Sequence, residues 1–418
     1  MRKYYIVIFF LIGFFGLQSG FSQSGLMRKV YLKNNETFEG ELLGTNPNIS
    51  YTLRNKNGKI VVFNFEEVSK IEKISDPDVN IIDQSLESEP AIVSKENEKS
   101  KLEIYGSVDL YYQYHLNEYP YLTSFTEHHN SFTLGMANII FAKNFGNTGF
   151  KADIALGPRA EIANGYPGTT LSAIKQLYIF YAPIKQLTFT AGTFSTFVGY
   201  ELINPGDNIN YSMSYLFSNG PFYHTGLKMD YSFSETFAFM LGVFNDTDEK
   251  VDVNKGKHFG TQLAFTKTNF SLFMNYLTGV DDDTPGSKVR GHQVDLTAAA
   301  DIDNHLGLGL NLSYKKNQHE DSPDTDWYGT AIYVNYKVKN FLIFGLRGEY
   351  INDSDAIIFE ETAVEIFSFT FSTNFKHHGF TFIPEFRIDH SNKPIFPKKE
   401  NELTKFSPAF LMALIYSF

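Results

Sequence analysis

Lys405-Phe-Ser-Pro-Ala-Phe-Leu-Met-Ala-Leu-Ile-Tyr-Ser-Phe418 closes the chain, and its parity decides the fold. Successive side chains of an extended strand point to opposite faces, so Phe410, Met412, Leu414, Tyr416 and Phe418 share one apolar side. The same period runs backwards through the chain. Leu306, Leu308, Leu310, Leu312 and Tyr314 alternate with Gly307, Gly309, Asn311, Ser313 and Lys315. Phe150, Ala152, Ile154 and Leu156 form a similar set, as do Leu342, Phe344, Leu346 and Tyr350, and Phe367, Phe369, Phe371 and Phe375. Tracing the pattern predicts about sixteen strands, near 103–115, 131–143, 149–159, 172–183, 187–198, 222–233, 236–245, 258–267, 269–280, 291–302, 305–316, 326–338, 341–352, 363–375, 379–390 and 405–418. Tight turns such as Asn144-Phe-Gly-Asn147 and Lys376-His-His-Gly379 alternate with longer connections near 116–130, 160–171, 199–221, 246–257, 281–290, 317–325, 353–362 and 391–404. The fold class is all-β, an antiparallel barrel over 102–418.

A soluble sandwich also alternates, so the solvent around the barrel needs separate evidence. Met1-Arg2-Lys3, the apolar run Ile6 to Leu17, and Gly20-Phe21-Ser22-Gln23 read as a secretory signal peptide, residues 1–22. A spanning helix needs about twenty apolar residues. No downstream stretch reaches that length, so crossing a membrane falls to strands. Aromatics make up 16% of the chain, with 41 Phe and 25 Tyr, yet mean hydropathy is only -0.22. Alternating lipid-facing and water-facing positions average out in this way. Cysteine is absent, which excludes a disulfide framework and a lipidated leader. A net charge of -11 speaks against a nucleic-acid partner.

Between signal and barrel lie two further regions. Residues 28–75 alternate as Lys29 to Lys33, Phe38 to Leu43, Ile49 to Leu53 and Ile60 to Phe65, with turns at Asn34-Asn35 and Asn57-Gly58 and a closing segment from Glu66 to Ile74. This pattern resembles a small soluble SH3-like or Sm-like β domain. Residues 76–101 are mostly Asp, Glu, Ser, Lys and Asn, too polar to bury a core, and read as a disordered linker.

The apolar face ending in a C-terminal phenylalanine resembles the assembly signal of Gram-negative outer-membrane barrels, which implies the barrel-assembly machinery and outer-membrane lipid as partners. Leu187-Thr-Phe-Thr-Ala-Gly-Thr-Phe-Ser-Thr-Phe-Val-Gly-Tyr-Glu201, Asn210-Tyr-Ser-Met-Ser-Tyr-Leu-Phe217 and Gly220-Pro-Phe-Tyr-His-Thr-Gly226 together resemble the OmpL-like β-barrel porins. That resemblance implies passive diffusion of small hydrophilic solutes through a transmembrane channel of the outer membrane. An even strand number puts both barrel ends, and hence residues 28–75, in the periplasm.

Parity assigns Asp109, Lys151, Asp153, Arg159, Lys228, Asp230, Asp295, Lys315, Arg347, Glu349, Glu385, Arg387 and Asp389 to the lumen. Lys151/Asp153, Lys228/Asp230, Arg347/Glu349 and Arg387/Asp389 stand two apart, on one face of a strand. Such ladders either tune ion selectivity or cross-link the wall. Six cations against seven anions predict weak selectivity. The longest connection, with Glu201, Asp207, Tyr211 and Tyr215, is the expected constriction; Tyr211, Tyr215, Phe217 and Tyr223 suit packing better than sugar stacking. Asp281-Asp282-Asp283 lacks the closing Glu of a calcium loop, and His128-His129 and His377-His378 lack metal-ligand spacing, so no metal or cofactor is expected. No nucleophile motif asks for an enzyme. Two other readings stand beside the channel: a non-conducting accessory barrel docking a periplasmic or outer-membrane protein through residues 28–75, and a hydrolase active at the rim, which needs a Ser/His/Asp cluster.

Overall fold

The computed structural model describes residues 101–418, except 253, 255, 285–286, 321, 360–361 and 399–401, together with five strands and short flanks between 27 and 73. The expected signal peptide and residues 76–100 lie outside the described residues. Two compact units divide the chain, Met1–Asp76 and Pro77–Phe418.

In the first unit β1 (Met27–Leu32), β2 (Thr37–Asn46), β3 (Ser50–Arg54), β4 (Ile60–Asn64) and β5 (Val68–Lys73) form one antiparallel sheet in the order β4-β3-β2-β1-β5. Val30 is buried beneath Leu32, Phe38, Val61 and Val68. That is a small apolar centre.

The second unit begins with β6 (Glu103–His115), β7 (Ser131–Phe145), β8 (Thr148–Leu156), β9 (Ile174–Ile184), β10 (Leu187–Ser195), β11 (Tyr223–Ser232), β12 (Phe237–Phe244) and β13 (His258–Lys267). It continues with β14 (Phe270–Thr284), β15 (Ser287–Asp301), β16 (Leu306–His319), β17 (Thr325–Lys339), β18 (Leu342–Asp353), β19 (Val364–His377) and β20 (Phe380–Ser391). After the two-residue strands β21 (Phe396–Pro397) and β22 (Leu403–Thr404), β23 (Phe406–Ser417) ends it. β6 to β20 and β23 close a sixteen-strand barrel. The seam is β23 against β6, in register from Ala409↔His115 to Ser417↔Ser107. Closure leaves no edge strand, which is what a hydrocarbon environment demands. Sixteen strands is the expected tally.

Alternation sets the two faces. On β19 Phe367, Phe369, Phe371 and Phe375 are exposed on the outside, while Ser368, Thr370 and Ser372 between them are buried inside. Phe410, Met412, Leu414 and Tyr416 on β23, with Phe418, likewise face outward. Gly192 permits a close approach of β10 to β9: its φ is +135°, and a Cβ there would lie 2.2 Å from the Leu177 carbonyl oxygen.

Three expectations need correction. The strand expected over 149–159 stops at Leu156, and Gly157-Pro158 starts helix α1 (Pro158–Asn164), because proline supplies no ladder N–H but suits a first helical turn. Arg159 is therefore helical, not a strand position. The long connection expected at 281–290 does not exist as such: β14 and β15 extend to Thr284 and Ser287, with Asp281↔Val289 and Asp282↔Lys288 in register. Similarly β16 runs to His319, beyond the expected 316. Strands of 14 to 15 residues exceed the roughly 9–11 that cross a membrane, so these hairpins outrun the hydrocarbon layer.

Candidate functional site: a lumen filled from one side

The connection from β10 to β11, residues 196–222, folds into the barrel. Glycine, asparagine and proline turn it there: a 3-10 turn at Pro205–Asp207, then helix α2 (Tyr215–Ser218), whose Ser214 hydroxyl accepts from Phe217 N at 3.0 Å. Tyr211, Met213, Tyr215, Leu216 and Phe217 are buried.

What holds the segment is a set of charges aimed at its backbone. Glu385 of β20 accepts from Tyr211 N at 2.7 Å and Ser212 N at 3.2 Å. Glu349 of β18 accepts from Tyr215 N at 3.0 Å and Leu216 N at 2.8 Å. Glu201, within the loop, accepts from Ser214 N at 2.7 Å. The carbonyls go to arginines: Arg347 donates to Ser212 O at 2.6 Å, and Arg387 donates to Met213 O at 2.7 Å. Arg347 also binds Glu201 at 2.5 Å, and Arg387 binds Asp389 at 2.8 Å. Side-chain hydroxyls add to this, Tyr215 donating to Asp389 at 2.8 Å and Tyr211 to Asp109. Buried backbone groups and buried charges thus satisfy one another, which removes most of the desolvation cost of each.

Other connections pack onto the same side. From 116–130, Thr123 accepts from Arg387 at 3.3 Å, and Tyr121 lies 4.4 Å beneath its guanidinium. Ile357, Ile358 and Phe359 rest on the cluster around Tyr215 and Trp327; Asp353 accepts from their three amides at 2.8 to 3.0 Å. Arg159 of α1 lies 4.8 Å from the rings of both Phe125 and Tyr211.

The lumen-facing residues therefore split into two groups. Asp109, Glu349, Glu385, Arg387, Asp389 and Arg347 are sealed against the loop, and Arg159 is sealed among the loops. Asp295 accepts from Gly199 N at 3.0 Å. Of the four same-face pairs, Lys228–Asp230 closes at 3.3 Å and Arg387–Asp389 at 2.8 Å. Arg347 turns instead to Glu201, and Asp153 takes Lys175 of β9 at 2.8 Å. Lys315 is half-buried near the outer rim, and Asp207 is exposed on the loop. Lys175 has the parity of the outward Leu177 and Ile179, so alternation does not reveal it; it is turned inward by an irregularity between the pairs Asp153↔Gln176 and Ile154↔Ile174, where β9 meets β8.

Free volume lies on the other flank. One small pocket, with room for about one water, separates Lys175, Ser195 and Thr196 of the β9–β10 wall from Glu201, Asn204 and Asp207. A second, of similar size, is bounded by Tyr200, Asn208, Asn210, Ala299 and Tyr333. Both include Glu201, Leu202 and Asp207, so together they bracket one stretch of loop.

A closed sixteen-strand barrel with an apolar girdle outside and a long loop seated within defines an outer-membrane β-barrel of porin type. The chain belongs to the family described as "Putative beta-barrel porin-2, OmpL-like", which matches residues 101–418. No curated protein matches. Among solved structures, an anion-selective porin from Comamonas acidovorans superposes with a TM-score of 0.55 at 9% identity, covering 77% of this chain and 100% of that one. The outer-membrane channel DcaP of Acinetobacter baumannii gives 0.51 at 13% identity, over 78% and 99%. OmpF of Salmonella typhi, solved with daunomycin, gives 0.51 at 12%, over 76% and 98%. These likenesses show a shared fold.

Proposed function

We propose that the protein is a non-enzymatic channel for passive diffusion of small hydrophilic solutes across the outer membrane, and that its path skirts residues 201–207. One observation carries the reading: the loop is bonded to β18–β20 and β6 on one flank, while both cavities lie on the other. Lys175, Glu201 and Asp207 then border the path; Lys175 and Glu201 are each neutralised by a buried partner, Asp153 and Arg347, so selectivity is weak. Residues 27–73 are read as periplasmic, because an even strand count brings both barrel ends to the side of the short turns.

The chain contains no cysteine, so single cysteines can be placed on a clean background. In planar bilayers, Thr196→Cys or Asn204→Cys should lose conductance on treatment with a charged methanethiosulfonate. Ser368→Cys, inside the sealed flank, should not. Block at Ser368 with none at Thr196 and Asn204 refutes the path. No conductance from folded protein, even with 205–217 shortened, refutes the channel itself. It would favour an accessory barrel, a reading to which the complete burial of Arg347 and Arg387 lends support.

A further inference from the structure

At the outer rim, three connections meet around one ammonium group. Lys250, from the β12–β13 loop, places Nζ 4.1 Å from the ring of Tyr223 and 5.4 Å from that of Tyr166. Nζ donates to the carbonyl of Asn164, the last residue of α1, where a helix leaves carbonyls unsatisfied and favours positive charge. The walls are themselves fixed. Tyr166 donates to Glu249 and accepts from Lys250 N and Val251 N, both at 3.0 Å. Asp248 accepts from Phe222 N at 2.7 Å and Tyr223 N at 3.0 Å, while Tyr223 donates to the Asp248 carbonyl.

Two tyrosine faces, a helix-end carbonyl and two neighbouring carboxylates are the parts of a receptor for an organic cation. We propose that this rim pocket binds small organic ammonium ions, with the chain's own Lys250 as the tethered occupant that such a ligand displaces. The pocket lies outside the lumen path, so the inference does not depend on conduction. Displacement breaks the bond of Lys250 to the end of α1, coupling ligand to the packing of the rim.

The charged and titratable groups facing Lys250 and its surroundings are Asp248, Glu249, Tyr166, Tyr223 and, toward Asp248, Lys315 of β16. Burial outweighs the two carboxylates and lowers the Lys250 pKa to about 8. Above that pH the tethered amine loses its charge, and a ligand that stays cationic gains the advantage.

The test is calorimetric titration of the purified full chain in detergent with propylammonium, which replaces the stem and ammonium that Lys250→Ala removes, and with tetramethylammonium. Lys250→Ala should bind propylammonium at pH 7 at least about tenfold more tightly than wild type, because a tether acts as a competitor at roughly millimolar effective concentration. Wild type should bind tetramethylammonium more tightly at pH 9 than at pH 7. Adding Tyr223→Leu to Lys250→Ala should abolish binding, and Tyr166→Phe, which keeps the ring, should preserve it. Heat-modifiable mobility of each variant establishes that the barrel is folded. A folded Lys250→Ala protein that binds neither ion, or binds them equally well without the Tyr223 ring, overturns the proposal.

Discussion

Replacing Arg347 by methionine should unfasten the lumen loop while leaving the barrel intact. The side chain holds Glu201 at 2.5 Å, Ser212 O at 2.6 Å, Met213 O at 3.3 Å and Thr370 Oγ1 at 3.1 Å, all out of contact with solvent. Removing one member of a buried pair strands the other charge and costs about 3–5 kcal/mol. Nothing in the sixteen-strand ladder depends on these bonds, so the cost falls on seating the loop. That converts to roughly two to four orders of magnitude in the equilibrium for local opening. Hydrogen exchange read by mass spectrometry measures it directly: amides 211–216 should exchange faster by about that factor, while the strand amides keep their protection. Glu201→Gln combined with Arg347→Met removes both charges and should recover most of the protection, since exchanging a whole buried pair for neutral groups is far cheaper than breaking it. Unchanged exchange at 211–216 in the folded single variant, or a double variant exchanging faster still, would refute the idea that paired charge seats the loop.

Three further outcomes follow from other parts of the molecule. Tyr416→Asp with Phe418→Asp places charge on the lipid face of the closing strand, at up to about 2–4 kcal/mol each near mid-membrane and less toward the interface; heat-modifiable protein in outer-membrane fractions should fall sharply. Gly192→Val meets both a φ of +135° and a carbonyl 2.2 Å from the new Cβ, so unfolding in urea should shift to lower concentration by an amount equivalent to at least about 1–3 kcal/mol. Burial raises the Asp248 carboxyl to about 6, so the folded rim holds this proton more tightly than the unfolded chain does. Its stabilising contribution is then full below about pH 4 and fades as pH rises through 6. Exchange at Phe222 and Tyr223 should show that trend beyond the intrinsic pH dependence of amide exchange, and Asp248→Asn should abolish it.

The barrel was legible because lipid on one side and polar groups on the other impose a period of two that side-chain chemistry cannot hide. Phe367 to Phe375 against Ser368 to Ser372 is that contrast in one strand. Arg159 went astray although the signal was present: Gly157-Pro158 interrupts the ladder one residue before it. Other features had no local trace. Arg347 finds Glu201 rather than Glu349 because the loop returns across 146 residues of sequence, and two-residue spacing says nothing about a third partner arriving from the lumen. The 281–290 segment looked like a loop from its acidic composition, yet ladder pairing continues through Asp281 and Asp282. Composition reports what a backbone prefers when nothing pairs with it.

The charges that seat the loop come from opposite ends of the chain's history. Tyr211 reaches Asp109 across 102 residues and Tyr215 reaches Asp389 across 174. Glu385 and Asp389 lie on β20 and Asp109 on β6, neighbours of β23 that are brought near each other only when that strand completes the seam. Until then Asp109 stands apart from the β18 and β20 anchors, and gathering them around the loop carries the entropy of closing very long segments. Full seating of the loop is therefore tied to the seam: a barrel whose last strand cannot pair with β6 lacks the complete set of anchors that residues 211–216 need.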